Sequence, residues 1–169
     1  HEAFVIAAKY GQFNIVNFLL NHKTYNIDGN IKKISEKSID KALIEASRGG
    51  FYEIIKLLIE HGANIHAQND ASLLAATING CYNVIFFLVN LGSDIDNSEA
   101  IIPASQFRNV RILELILEKG CNIHIKNDEA LMVAAYYGNE KTVDLLIKQG
   151  STKIIDASST TGLTAILRA

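Results

Sequence analysis

The sequence predicts an all-α fold, a solenoid built from stacked helix-turn-helix repeats. Glycines that follow apolar helical stretches recur at spacings of 30, 28 and 30 residues, at Gly62, Gly92, Gly120 and Gly150. Glycine just after such a stretch is typical of a helix end. A second set divides the units into a short helix and a longer one, namely Gly11, Gly50, Gly80 and Gly138. A recurring unit of helix, turn, helix and loop indicates a repeat protein.

The short helices carry a small residue at one fixed position, and the long helices carry a broad apolar stripe. The small residues are Ala7, Ala46, Ala76, Ala104 and Ala134. Small side chains let neighbouring helices pack toward the short end of the usual range of about 8 to 10 Å. The stripe, seen in residues 54–59 (IIKLLI), is too wide for a single buried seam. We therefore expect neighbouring repeats to cover both flanks of each helix pair.

The pattern predicts a single array over residues 1–169. Its helix pairs are expected at about 2–22, 41–61, 71–91, 99–119 and 129–149, with an insertion at about 24–38 and a partial repeat at 162–169. The insertion contains an Asp-Gly-Asn turn signal at 28–30 and is either a functional loop or a tolerated one. Pro103 lies inside the fourth short helix, where we expect a tightened or bent repeat. Four polar residues are predicted to cap the short helices, namely Asp40, Asp70, Ser98 and Asp128.

The motifs of the unit resemble those of one known family. Two short helices end in Ala-Ala-x-x-Gly, and residues 57–66 read Leu-Leu-Ile-x-x-Gly-Ala-Asn-Ile-His, which 120–124 echo. These motifs resemble the ankyrin repeat, over nearly the whole chain. The resemblance implies an ankyrin-type solenoid with shortened β-hairpin loops, because Gly62 to Leu73 has three residues fewer than the family's pattern. The Asn- and Ile-rich sequence of these motifs also resembles that of the ankyrin arrays of large amoeba-infecting DNA viruses.

Composition argues against several classes of partner. The chain is 49% hydrophobic and 20% charged, with a net charge of -2. This composition does not predict the basic surface that binds nucleic acid. The longest purely apolar run, 84–89, is far below the roughly 18 residues of a membrane span. No secretory signal is recognised, and Cys81 and Cys121 do not resemble a disulfide framework. We therefore expect an intracellular, cytoplasmic protein, in the host cell or the virion if its source is viral.

No motif for catalysis, metal or cofactor binding is recognised. An enzyme needs acid, base or nucleophile residues that converge in one pocket, and neither a phosphate loop nor a nucleophile elbow is present. His66 and His124 are two repeats apart, about 20 Å by helix-packing distances, too far to share a metal bound at about 2 Å. We interpret both as structural histidines. The chain is predicted not to be an enzyme and to have no cofactor, no metal and no small-molecule substrate.

The family's exposed concave-face positions lie just before the turn glycines. We call the residues there the short-helix ribbon: Tyr10, Arg48, Ile78, Phe107, Tyr136 and Tyr137. Because interfaces are enriched in aromatic residues and Arg, the ribbon is predicted to bind other proteins. The chain is thus predicted to be a non-catalytic interaction scaffold, part of a longer ankyrin-repeat protein. Two alternatives stay open: a structural, self-associating assembly or virion component, and a substrate-receptor segment of a ubiquitin-ligase adaptor.

Overall fold

The computed structural model describes residues 2–22, 34–108 and 110–150, together with the backbone of 24–25 and 31–32. The chain divides into two compact units, His1–Asp94 (unit 1) and Ile95–Ala169 (unit 2). The partial repeat predicted at 162–169 and the turn signal at 28–30 lie outside the described residues. One continuous array over the whole chain stays a prediction.

The described part of unit 1 contains three helix pairs and a short strand pair. Its elements are α1 (Glu2–Lys9), α2 (Phe13–Asn21), β1 (Thr24–Tyr25), β2 (Ile31–Lys32), α3 (Glu36–Gly49), α4 (Tyr52–Glu60), α5 (Ala67–Ile78) and α6 (Tyr82–Asn90). Each short helix packs on the long helix that follows it; α3 also packs on both α1 and α5, and α2 packs on α4. The three pairs are therefore stacked in sequence order.

The described part of unit 2 contains two helix pairs. They are α7 (Ile101–Ala104), α8 (Arg111–Glu118), α9 (Glu129–Tyr136) and α10 (Glu140–Lys148). Helix α7 packs on α8 and on α9, and α9 packs on α10. Within the described residues of both units, β1 and β2 are the only strands. The predicted all-α class of stacked helix pairs is confirmed.

The alanines of the fixed position lie in the buried core of each unit. Ala46, Ala76 and Ala134 are fully buried, and Ala7 and Ala104 are nearly so. In the α4 stripe, Ile55 and Leu58 are also fully buried. Leu57 and Ile59, at the two edges of the stripe, are half-buried, so the centre of the stripe is buried and its edges are covered in part.

The residue after a turn glycine reaches back to the preceding repeat in each unit. A Cβ added at Gly11 or Gly49 would lie within 2.6 or 2.2 Å of the Phe51 ring, which therefore occupies the space beside both turns. In unit 2 the Asn139 side-chain amide donates to the Ser105 carbonyl at 3.0 Å. These contacts fix the ends of successive short helices relative to one another.

Aspartate side chains of one repeat accept hydrogen bonds from loop amides of the next repeat, and we call these bonds carboxylate bridges. The backbone amides of Asn64, Asp94 and Asn122 donate to Oδ1 of Asp40, Asp70 and Asp96, at 2.7, 2.9 and 2.8 Å. Each bridge spans 24 to 26 residues of sequence. Each loop is thereby attached to the repeat before it.

The N-cap prediction was wrong for the four polar residues. Asp40 lies inside α3, whose cap is Ser35, and the Ser98 hydroxyl donates to the Ile95 carbonyl at 2.9 Å. Asp128 does stand at the N-cap position of α9, but its side chain makes no cap hydrogen bond and bonds the His124 ring instead. The Asp70 carboxylate likewise bonds the His66 ring and the Asp94 amide. Their carboxylates therefore do not cap the helices that they precede in the sequence pattern.

Left-handed turns replace the β-hairpin in two of the loops. Gln68, Asn69 and Asp70, which lie inside the range given for α5, have φ of 54°, 58° and 54°, so the right-handed part of α5 begins after Asp70. Lys126, Asn127 and Asp128 have φ of 50°, 59° and 62°. This conformation costs about 1 to 2 kcal/mol per non-glycine residue, and Asn and Asp tolerate it best. The loops from Gly62 to α5 and from Gly120 to α9 contain no strand. The predicted shortening thus removes the hairpin from these loops.

The predicted insertion at 24–38 contributes to both strands and helix. β1 and β2 pair antiparallel, with Thr24 opposite Lys32. Helix α3 begins at Glu36, earlier than the expected start at 41, because the Ser35 hydroxyl accepts a hydrogen bond from the Ser38 amide at 3.3 Å. The insertion therefore ends in the first turn of a helix.

The fourth short helix is the shortest in the described part of the chain. Helix α7 has four residues and α9 has eight. In so short a helix Pro103 falls in the first turn, where a missing amide hydrogen breaks no intrahelical bond. The Ser105 amide closes the turn with bonds of 3.2 and 3.1 Å to the carbonyls of Ile101 and Ile102. The repeat is tightened to one helical turn.

We expect Leu58→Ala to lower the free energy of unfolding by about 2 to 5 kcal/mol, because it leaves a cavity in a fully buried site. Urea denaturation followed by circular dichroism measures the loss. Lys56→Ala, at an exposed position of the same helix, is the control and should cost less than about 0.5 kcal/mol. Equal stability of the Leu58 variant and the parent would contradict the buried stack.

We expect Asp70→Ala to cost about 1 to 3 kcal/mol, because it removes a buried acceptor from the Asp94 amide and from the His66 ring. Asp70→Asn keeps an acceptor oxygen and tolerates the left-handed backbone, so it should cost clearly less. Chemical denaturation of the two variants side by side is the measurement. Equal losses would show that charge, not the hydrogen-bond acceptor, stabilises the loop.

Candidate protein-binding surface

In unit 1, three predicted ribbon residues lie at the C-terminal ends of the short helices. Tyr10, just after α1, is 64% exposed, and the Lys9 ammonium lies 5.7 Å from its ring centroid. Arg48, in the last turn of α3, is exposed and lies 3.6 Å from the Glu45 carboxylate. Ile78 ends α5 and is also exposed. Arg48 and Ile78 each lie two residues before their turn glycines, and Tyr10 lies one residue before Gly11, so all three are at the ends of short helices in consecutive, stacked repeats.

In unit 2, two tyrosines form the most exposed aromatic group of the described residues. Tyr136, which ends α9, is 84% exposed, and Tyr137, the next residue, is 52% exposed. Their ring centroids lie 5.2 Å apart with an edge-to-face angle of 85°. Phe107 is half-buried, so it offers less surface. The ribbon is therefore present as one group in each unit, and its continuity between the units stays a prediction.

Two neighbours of the unit 1 group were missed by sequence reasoning. Ile6 is exposed one helical turn before Tyr10, and the half-buried Phe51 ring lies between the Gly11 and Gly49 turns. The spacing of four residues between Ile6 and Tyr10 was a usable signal, because such residues share a helix face. No sequence pattern predicted where the Phe51 ring lies, because the ring occupies space that is free only since Gly49 has no side chain.

The two loop histidines bond within their own loops. His66 Nδ1 lies 3.0 Å from Oδ1 of Asp70, and His124 Nδ1 lies 2.6 Å from Oδ1 of Asp128. Both carboxylates are buried and both rings are exposed. The rings thus cover the buried carboxylates of their loops.

The two thiols are poor nucleophiles in this structure. Burial raises the pKa of Cys121 to about 12, with a hydrogen bond to Asp96 and the charge of that carboxylate adding to the effect. Burial also raises the pKa of Cys81. Because the thiolate is the reactive form, both shifts lower reactivity at neutral pH.

Neither a metal-binding cluster nor a membrane-spanning helix is found among the described residues. No group of three or more His, Cys, Asp or Glu side chains there is arranged to hold a metal ion. None of the helices in this part of the chain combines the length and apolar character needed to cross a bilayer.

Comparison with family models decides the family of the chain. The model described as ankyrin repeats (3 copies) matches residues 4–99 and again 101–169. The chain belongs to the ankyrin repeat family. Ankyrin repeats generally act as protein-protein interaction modules and are typically non-catalytic. A search of curated proteins found no match.

We expect Cys121 to be alkylated by iodoacetamide at pH 8 about tenfold or more slowly than Cys81, because its higher pKa leaves less thiolate. Asp96→Asn should accelerate the reaction at Cys121 and leave Cys81 unchanged, because it removes the negative charge beside that thiol. Peptide mapping by mass spectrometry measures both rates. The rates should converge in urea; equal rates in the native protein would contradict the assigned environment of Cys121.

Proposed function

We propose that these ankyrin repeats bind another protein through the exposed ends of the short helices. The observation that carries the proposal is the pair Tyr136 and Tyr137, which are 84% and 52% exposed at the end of α9. Tyrosine supplies a large contact area at low conformational-entropy cost, and it is enriched among the residues that dominate binding energy. Because the rings already contact each other edge to face, part of their ordering precedes binding.

The unit 1 group suggests the chemistry of the partner surface. Tyr10 and Ile78 offer apolar area, and Lys9 and Arg48 add two cations at the same ends of the short helices. Glu45 neutralises Arg48 only in part, since the pair is exposed and separated by 3.6 Å. A protein surface with apolar side chains and at least one carboxylate would complement this group.

We also propose that the protein is located inside the cell. Both described cysteines are free thiols, which suits a reducing intracellular environment. The resemblance to arrays of large amoeba-infecting DNA viruses stays a prediction, and with it a location in a host cell or virion.

We expect the double variant Tyr136→Ala, Tyr137→Ala to weaken partner binding at least about tenfold, which corresponds to about 1.4 kcal/mol. Its melting temperature should stay close to that of the parent, because both rings are mostly exposed. Affinity purification from the native host, followed by titration of the partner recovered, measures the effect.

Phe86→Ala is the matched control, because Phe86 is another exposed aromatic residue but lies on the long helix α6. It should bind like the parent. Unchanged binding of the tyrosine variant together with lost binding of the Phe86 variant would place the interface on the long helices and overturn the proposal.

A further inference from the structure

Asn79 combines a chemically labile sequence with an exposed place at the end of a short helix. Of the asparagines in the chain, it alone precedes a glycine. Asparagine is thermolabile because the next backbone nitrogen can attack its side-chain amide, and a glycine there has no Cβ to hinder the approach. Asn79 is exposed and lies one residue before its turn glycine, the position that Tyr10 and Tyr137 occupy in other repeats. A reaction at Asn79 would therefore change the proposed binding surface.

Hydrogen bonds hold both reacting groups in the folded structure. The Asn79 side chain donates from Nδ2 to the Ala75 carbonyl at 3.1 Å. The nitrogen that would attack, the Gly80 amide, donates to the Thr77 carbonyl at 3.0 Å. Asn79 has φ of -102° and ψ of 4°, and Gly80 is left-handed with φ of 67°. Both hydrogen bonds must break before the nitrogen can reach the side-chain carbon, so the last turn of α5 has to open first.

The last turn of α5 can open while the core of the repeat stays packed. Helix ends open locally at a lower free-energy cost than global unfolding. Ala76 and Thr77 are fully buried, whereas the next two residues, Ile78 and Asn79, are exposed. Separation of these two residues from the turn therefore exposes little buried surface. The reaction at Asn79 can proceed from a locally opened state of the folded protein.

We propose that Asn79 is a modification site, which deamidates when the end of α5 opens and thereby weakens binding at the unit 1 group. The Gly80 nitrogen loses its proton and bonds to Cγ of Asn79, and the side-chain nitrogen leaves as ammonia, which gives a cyclic imide. Water then opens the ring at either carbonyl, so position 79 becomes aspartate or isoaspartate. No group is oxidised or reduced, and water is the only co-reactant.

The products disturb the end of α5 and its surface charge. A carboxylate has no hydrogen to donate to the Ala75 carbonyl, and a negative charge at a helix C-terminus is unfavourable. Isoaspartate also lengthens the backbone directly before Gly80. The new charge is added at the end of a short helix, as the cations Lys9 and Arg48 are in the preceding repeats. A carboxylate of the partner would then meet a like charge, so the effect on binding rests on the proposed function, whereas the chemical step does not.

Peptide mapping by mass spectrometry tests the chemical step. The purified chain is incubated at pH 8 in native buffer and in urea, and deamidation is followed at every asparagine. In urea Asn79 should react faster than the other asparagines. In native buffer its reaction should be slower by about tenfold or more, because it requires the last turn of α5 to open. Equal rates in the two conditions, or a faster reaction of another asparagine in urea, would overturn the assignment.

Leu58→Ala distinguishes local opening from global unfolding. This change destabilises the buried stack at a site in α4, outside the turn that holds Asn79. It should raise the native rate of deamidation at Asn79 by less than about threefold, because the last turn of α5 opens without global unfolding. A larger increase would show that the reaction proceeds through the unfolded chain and would contradict the local route.

Asn79→Asp and its matched control Asn79→Gln test the consequence of the modification. Asn79→Asp introduces the carboxylate directly, so hydrogen exchange at the Gly80 and Cys81 amides should be about threefold or more faster than in Asn79→Gln, which keeps the amide. Asn79→Asp should also bind the partner recovered by affinity purification about threefold or more weakly than Asn79→Gln does. Equal binding of the two variants, beside lost binding of the variant with alanine at 136 and 137, would overturn this effect and leave the proposed function standing.

Discussion

Close packing between the short helices at the alanine position is the constraint on which unit 1 depends. Ala7, Ala46 and Ala76 are buried where α1, α3 and α5 meet, and nothing larger than a methyl group extends there from these residues. A larger side chain would separate the helices, since packed interiors have no spare volume. The Phe51 ring can lie against both Gly11 and Gly49 only while the first two turns stay this close. The positions of the exposed residues at the helix ends therefore follow from buried alanines one turn away.

The loops between repeats differ in length and backbone conformation, while the helix pairs that they connect are similar. The glycine spacing of 28 residues between Gly92 and Gly120 is two shorter than the spacing of 30 elsewhere. In the shorter loop Glu99 alone is left-handed, whereas the longer loops have three left-handed residues in a row. Ser98 replaces an aspartate there, and Asp96, two residues earlier, provides the carboxylate bridge to Asn122. A deletion of two residues is thus accommodated within the turn, and the bridge is kept.

Sequence patterns predicted the helix pairs well, because helix-ending glycines and buried alanines act through local geometry. The role of Asp70 could not be predicted, because its side chain bonds to an amide 24 residues away and its own backbone is left-handed, a conformation that a non-glycine residue rarely adopts. The pattern of a polar residue before a helix fits a cap equally well. In the candidate site, the tyrosines at 136 and 137 are exposed where the pattern placed an exposed pair, but Phe107 is half-buried just after α7, a helix of four residues.

The loss of the hairpin from the loops before α5 and α9 bears on the proposal that a partner binds at the ends of the short helices. Left-handed turns are compact, and their exposed histidine rings are held against the buried Asp70 and Asp128 carboxylates. The ends of the short helices, by contrast, carry side chains such as Tyr136 that extend into solvent from a backbone fixed by helix packing. Association requires the contacting groups to lose conformational freedom, and this cost is smaller when the backbone beneath them is already ordered. An aromatic residue at the end of a stacked helix therefore contributes more net binding free energy than the same residue on a mobile hairpin tip.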